Sequence, residues 1–452
     1  AAFTGQYDLD RSFWDHHQPT DLPDVVEQLQ SSLTELARHY HARARETGEG
    51  HDYRQAEHWY RRYLLTFPGA AQASGMRFLL GELLYATGNY PQAVEEYEQV
   101  AYRYAQHPQA AEAGLNAVLA CERQLQQAGT VDRQGWQARC DGLAIRFVDV
   151  FPRHPDAVAV LTRTGAGLID RQQAGVVVQA CGALIERGDA VPPELRRAAL
   201  VLLAQAQFRR EDYRAAELAY REARSIDGLD AARRATLDEA MAASIYRQAE
   251  HQRALGNAAE ASSAFLRAAA AAPGPSSVRP VAQYDAAASL LAAERWDDAV
   301  RILVPFREEH PGHALEVDVT RKLAFAYEQD GRDRAAAGEY VRLAGMPGDE
   351  AIGREALLHA ADLYRQAGHS ADAVAVLERY LARYPQPVVE AAEAMQRLAE
   401  TEAARGDADR HRHWLHALVK LDTSGRADDR IRELAAQAHL SLADYRITDF
   451  EQ

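Results

Sequence analysis

Along most of this chain, apolar positions return every three or four residues, the period at which side chains gather on one face of a helix. Around residue 80 the pattern is clear. Leu80 and Leu84 begin one stripe, Gly88-Asn89 interrupts it, and Ala93 and Tyr97 start a second. The abundant residues are alanine, arginine, glutamate, leucine and glutamine, and β-branched residues are sparse. Such a mixture favours helix and leaves little material for strands. The predicted elements are helices nearly throughout.

These helices come in a repeating pair. A first helix ends in a glycine-containing turn. The second opens with an aromatic or polar residue, then a small residue, with a bulky one four positions on. The small residues are Ala56, Ala93, Ala216, Ala261, Ala299, Ala336 and Ala373, followed at that distance by Tyr60, Tyr97, Tyr220, Phe265, Leu303, Tyr340 and Leu377. Proline stands twelve positions after the alanine at Pro68, Pro273, Pro311 and Pro385, and slightly late at Pro108. The successive alanines from 261 to 373 are 38, 37 and 37 residues apart. Gly88, Gly256, Gly331, Gly368 and Gly406 sit just before the second helix, where a helix end favours a left-handed residue. A small residue lets two antiparallel helices approach, and the bulky one fills the groove beside it. Each pair leaves an apolar face that only the next pair can bury, so the pairs must stack.

The unit at 78–107, with Leu80-Gly81, Leu84-Tyr85, Gly88-Asn89-Tyr90, Ala93 and Tyr97, resembles the tetratricopeptide repeat almost position by position. The set Leu323, Tyr327, Gly331, Ala336 and Tyr340 is similar to it as well. The resemblance covers roughly 50–110 and 196–420. It implies an all-α, right-handed α-solenoid of about ten helix-turn-helix repeats with a C-terminal capping helix. The spacing and segment 77–120 also resemble bacterial cell-envelope members of that family: the barrel-assembly lipoprotein, the Tol–Pal coordinator, and large repeat proteins that accompany TonB, ExbB and ExbD. That narrower resemblance implies a periplasmic or outer-membrane-associated scaffold. A cytoplasmic regulatory module and a non-catalytic accessory subunit of a secretion or polysaccharide machine are the alternatives.

Five segments are expected: an irregular arm over 1–23, repeats over 24–109, divergent helical repeats over 110–195, repeats over 196–424, and a capping helix with tail over 425–452. In the divergent segment the consensus alanine is missing, and Gly165, Gly167 and Gly175 loosen the pattern; the spacing leaves room for two or three units, and two divergent helical pairs are expected. The run 273–277, rich in proline and glycine, reads either as a hinge or as a long turn between repeats. The start, Ala1-Ala2-Phe3, reads either as an end left by cleavage after small residues or as an arbitrary start. The apolar residues of the tail leave self-association through an uncapped end open.

Charge and cysteine content narrow the chemistry. A net charge of −15 argues against nucleic acid as a ligand, because phosphate binding needs a basic face. Lysine occurs only at 322 and 420, so arginine carries the positive charge. No apolar run is long enough to cross a bilayer. Cys121, Cys140 and Cys181 are too few for a disulfide framework. Cys121 and Cys140 would face each other if 109–128 and 133–151 form a hairpin; otherwise all three behave as small buried hydrophobes. No phosphate loop, nucleophile elbow, HExxH or CxxC is present, so neither an enzyme nor a cofactor is expected. The best metal candidate is His411, His413 and His416, with His16-His17 beside Asp15 weaker still, and without an acidic or cysteine partner at fixed spacing the three read as surface histidines.

The expected partner is another protein or a peptide segment, and the narrower resemblance implies one from a TonB- or Tol-type membrane complex. The resemblance places it in the groove lined by the first helix of each pair. Carried over repeat by repeat, the groove positions are Phe78, Glu82 and Tyr85, then Tyr246, Glu250 and Arg253, then Arg321, Phe325 and Glu328, then Asp362 and Arg365. This set lacks the dense basic clamp that would hold a terminal carboxylate. Each aromatic among them reads equally as a packing residue between repeats.

Overall fold

The computed structural model describes residues 2–7, 9, 12–104, 107–129, 131–422 and 428–451, with the backbone only of 2, 3, 422 and 446–451. Among the described residues every regular element is helical, and ten consecutive pairs between Pro23 and Asp422 precede a last helix, Asp429–Glu451. The chain divides into two compact units, Ala1–Asp230 and Ala231–Gln452, each an α-solenoid of stacked hairpins.

The first unit opens with α1 (Ala2–Tyr7) and two 3-10 turns, Ser12–Asp15 and Pro19–Asp21, where little regular structure is expected from sequence. Aromatic contacts hold this segment together: Phe13 meets Tyr7 and Trp14 edge-on at 4.8 and 5.0 Å, and Trp14 Nε1 donates to the Tyr7 carbonyl at 2.8 Å. The pairs that follow are α2 (Pro23–Thr47) with α3 (Gly50–Thr66), and α4 (Ala73–Ala86) with α5 (Tyr90–Glu98), which runs on as a π-helical turn, Gln99–Arg103. Next come α6 (Ala110–Gln127) with α7 (Arg133–Val150), α8 (Ala157–Asp170) with α9 (Ala174–Glu186), and α10 (Pro193–Arg209) with α11 (Tyr213–Ser225). The divergent segment therefore holds two pairs. Cys121 of α6 and Cys140 of α7 form a disulfide with 5.5 Å between their Cα atoms, which resolves the open question of their pairing. Cys181 is free and buried.

In the second unit the pairs are α12 (Ala231–Ala254) and α13 (Ala258–Ala271), α14 (Val278–Ala292) and α15 (Trp296–Glu309), and α16 (Glu316–Gln329) and α17 (Asp333–Ala344). They continue as α18 (Glu350–Gln366) and α19 (Ser370–Arg383), and α20 (Val388–Arg405) and α21 (Ala408–Asp422), closed by α22 (Asp429–Glu451). Helices α13 and α14 pack closely on either side of 273–277, so that run is a turn between repeats.

The repeat positions do what their sizes require. Ala56, Ala93, Ala216, Ala261, Ala299, Ala336 and Ala373 are all fully buried, and Tyr60, Phe265 and Leu303 are sealed beside them. Close crossing also explains Gly81, where a Cβ would lie 2.8 Å from the Tyr97 ring. The turn glycines at 88, 256, 331, 368 and 406 all take positive φ, between 72° and 80°. Three hairpins make the same left-handed turn without glycine, at Gln172, Glu211 and Glu294, with φ of 62°, 64° and 57°.

Candidate functional site

First helices of successive pairs lie side by side, and long polar side chains at matching heights can bridge them. In the second unit they do so repeatedly. Tyr246 on α12 donates its hydroxyl to Asp285 on α14, and Arg253 reaches the other oxygen of Asp285 at 3.0 Å. Burial, followed by the hydrogen bond to Asp285, raises the pKa of the Tyr246 hydroxyl. Glu250 holds Arg247 at 2.7 Å and lies 3.9 Å from Arg253. On α16, Glu328 accepts from the Tyr340 hydroxyl at 2.8 Å and meets His359 Nε2 of α18 at 3.0 Å. Asp362 on α18 is shared between Arg365 at 3.4 Å and Arg397 of α20 at 3.6 Å. Arg321 pairs with Asp318 at 3.0 Å, and Phe325, 44% exposed, leans edge-on against Trp296 at 5.6 Å. The eight groove positions expected in this unit are thus all engaged by neighbours within the chain.

The first unit is different. Phe78 is buried in the hairpin, 5.8 Å from Tyr97, where its ring fills the core rather than facing a partner. Tyr85 is partly exposed, accepts a long bond from Arg123 Nε at 3.4 Å and stacks edge-on with Tyr90. Between α2, α4 and α6 lies an open cavity of about 340 Å³. Its walls are His41 and Arg45 of α2, Glu82 and Tyr85 of α4, Tyr97 of α5, and Asn116 and Leu119 of α6. His41 is anchored by a 3.0 Å contact from Nδ1 to the Tyr60 hydroxyl, and burial, then the charge of Arg45, lowers its pKa.

Glu82 has no hydrogen-bonded or ion-paired partner among the described residues, and it is the one expected groove position with a charged side chain of which this holds. Burial raises its pKa, with Arg45 opposing the shift and Glu112 adding to it. A carboxylate is an acceptor and nothing else, so a half-buried one that no protein donor meets keeps its oxygens for solvent or for a ligand's donors.

Sequence reasoning placed Glu82 and Tyr85 here but missed His41, Arg45, Asn116 and Leu119. For the last of these a signal existed. A Cβ on Gly114 would lie 3.0 Å from the rings of Phe147 and Phe151, as one on Gly81 would crowd Tyr97. Gly114 is therefore the close-crossing residue of the next first helix, but aligning it with Gly81 pairs Asn116 with Leu83 and Leu119 with Ala86, so register alone marks only Leu119, opposite the cavity-lining Ala86. A larger cleft of about 720 Å³ lies between α7 and the ends of α8 and α9, floored by Ile145, Leu168 and Val176. Its polar side is internally paired, Asp141 accepting from Arg171 at 2.7 Å and from Gln137 at 3.1 Å. Of the three histidines considered for metal, His411 turns to the Tyr445 hydroxyl at 2.8 Å and His413 packs against Trp414. No described helix is long and apolar enough to cross a membrane.

The family model for the tetratricopeptide repeat matches residues 76–107 and 355–387, which are the α4–α5 and α18–α19 hairpins. No curated protein matches the chain. Solved structures similar to it include a tetratricopeptide repeat protein from Parabacteroides merdae, 16% identical over 62% of this chain and 98% of that one, with a TM-score of 0.27. Yeast Tom70 is 13% identical over 92% of this chain and 97% of its own, with a TM-score of 0.25. Cut9-Hcn1, an APC/C hetero-tetramer, gives 12% identity over 94% and 91% of the two chains, with a TM-score of 0.22. Values this low leave the assignment to the matched repeats.

Proposed function

We propose, on the premise that this chain is a tetratricopeptide-repeat protein, that it is a non-catalytic scaffold which binds other proteins in the bacterial cell envelope. The observation that carries the reading is the cavity between α2, α4 and α6, where a carboxylate stands without a partner while the matching face of the second unit is internally paired. Surface that a chain does not satisfy by itself is surface that a partner can satisfy. Tyr85 and Leu119 at the rim, both partly exposed, supply the apolar contact that a bound segment needs. The exposed Phe325 beside Trp296 offers a further apolar contact in the second unit.

The periplasmic placement is supported by the Cys121–Cys140 disulfide, because such bonds persist in oxidising compartments and are rare in the cytosol. The repeat spacing near 37 and the resemblance to barrel-assembly and Tol-associated proteins point the same way. The test is site-specific photo-crosslinking from position 119, and separately from position 325, in the native cells, followed by identification of the captured proteins. Envelope or motor proteins captured from 119 support the reading. Capture of cytoplasmic proteins alone overturns the compartment, and capture of nothing from either position overturns the groove.

A further inference from the structure

We propose that the cavity between α2, α4 and α6 is a receptor for a single arginine side chain of the bound partner, its guanidinium meeting Glu82 and Asn116 and its alkyl stem lying along Leu119 and the Tyr85 ring. This rests on the reading that this face binds a protein, and adds the chemistry of what it binds.

Three observations lead to it. Glu82 projects from α4 into the cavity and lacks a donor, whereas Glu328, a groove carboxylate of the second unit, receives two donors from its own chain. Asn116, on the opposite wall, is partly buried and likewise has no hydrogen-bond partner among the described residues. Its side-chain carbonyl adds a second acceptor. Between them Leu119 and the Tyr85 and Tyr97 rings form an apolar sleeve. A long stem ending in several donors fits such a site, and the donors must reach two separate acceptors. The planar guanidinium offers five N–H groups in a fixed fork, while an ammonium offers three at one point.

The charges around the site are mixed: Glu82 and Glu112 favour a cation, while Arg45 and Arg123, the latter on the Tyr85 hydroxyl at 3.4 Å, must leave room for it. Facing Glu82 are His41 and Arg45 from α2, Tyr85 beside it on α4, Tyr97 from α5, and Glu112 from α6. Arg45 is exposed and has no ion-pair partner, so it can swing toward solvent when a cation enters. The buried His41 has its pKa lowered, so it stays neutral near pH 7 and adds no competing charge there. An acidic ligand would instead meet Glu82 and Glu112 and a chain of net charge −15.

The experiment uses the full chain and three fluorescently labelled pentapeptides, acetyl-Ala-Leu-Xaa-Leu-Ala-amide, with arginine, lysine or citrulline at Xaa. Citrulline keeps the shape of arginine without its charge. Anisotropy titration is expected to show arginine binding about tenfold tighter than citrulline, with lysine between, as for a charge-assisted bidentate pair. Glu82→Gln should abolish the preference at unchanged melting temperature, whereas Glu328→Gln should leave it intact. The arginine preference should also weaken as pH falls into the range where free Glu82 protonates, and Glu82→Gln should flatten that slope. Equal binding of arginine and citrulline, a preference that survives Glu82→Gln, or no binding of any peptide at millimolar concentration would each overturn the proposal. A partner still cross-linked from position 119 in the Glu82→Gln protein would then leave the scaffold reading standing. Failure to capture any partner in the native cells strikes that reading instead.

Discussion

The first-helix face from α12 to α20 and that from α2 to α6 are built from the same repeat, yet the groove carboxylates of one are paired within the chain and Glu82 of the other is not. From α12 to α20, Tyr246 bonds Asp285, Glu328 bonds Tyr340 and His359, and Asp362 is shared by Arg365 and Arg397. From α2 to α6 the same face holds a cavity and a Glu82 that no protein donor meets among the described residues. The difference is one of partner chemistry. Asp285, His359 and Arg397 stand on the neighbouring first helix and bond the groove residues of the second unit, whereas the α6 side chain that reaches α4, Arg123, goes to Tyr85 and not to Glu82. A repeat face can therefore be spent on holding repeats together or kept for a partner, and the polar residues decide which.

The largest way to disturb this contrast is through the wall of the open side. Cys121 lies on α6 together with Asn116 and Leu119, and its disulfide fixes α6 against α7. Replacing both cysteines with serine is expected to lower stability by about 3 kcal/mol, the loop-closure value for a bridge of this span, as measured by urea denaturation. The loss should come with weaker binding at the cavity and no change in the paired face.

Next in size, Glu328→Gln removes the charge that two donors share and should cost roughly 1–2 kcal/mol in thermal denaturation. Glu82→Gln, which removes a charge that nothing holds, should change stability by less than about 0.5 kcal/mol. Equal effects would erase the distinction between the two faces.

A similar comparison applies to the turns. Glu211→Gly relieves a left-handed residue that carries a Cβ, and should raise stability by about 1 kcal/mol, while Gly88→Ala should lower it by a similar amount. The smallest effect expected is on pH. The folded-state pKa of His41 lies below its ordinary value of about 6.5, so its neutral form belongs to the folded chain. Its contribution is present above that value and is lost as pH falls toward the lowered pKa. His41→Gln should flatten the dependence of melting temperature on pH between about 7 and 5.

The architecture was largely legible in the sequence. Ala93 with Tyr97, and Ala261 with Phe265, are spaced by helix geometry, and their burial follows from size alone. The turn glycines likewise announce a backbone state that other residues avoid. Gln172, Glu211 and Glu294 take that state without any such signal, because the closing hairpins impose it. The cavity was only half legible. Glu82 and Tyr85 follow from register, but which groove residues remain unpaired depends on side chains about 30 to 40 positions away, and the repeat pattern does not specify those. Phe78, expected in the groove, is in the core because its position faces Tyr97 of its own hairpin.

A stack of hairpins answers to force in a simple way, since each pair can peel from the next without disturbing those beyond it. Pulled from its two ends, this chain should lengthen in steps of one hairpin, with one step short. The Cys121–Cys140 bond closes a loop spanning 19 residues, and that stretch cannot extend while the bond is intact. It withholds about 60 Å of length at the reach of an extended chain, and a reductant should return it. Under tension, α6 and α7 would be the hairpin whose turn stays closed.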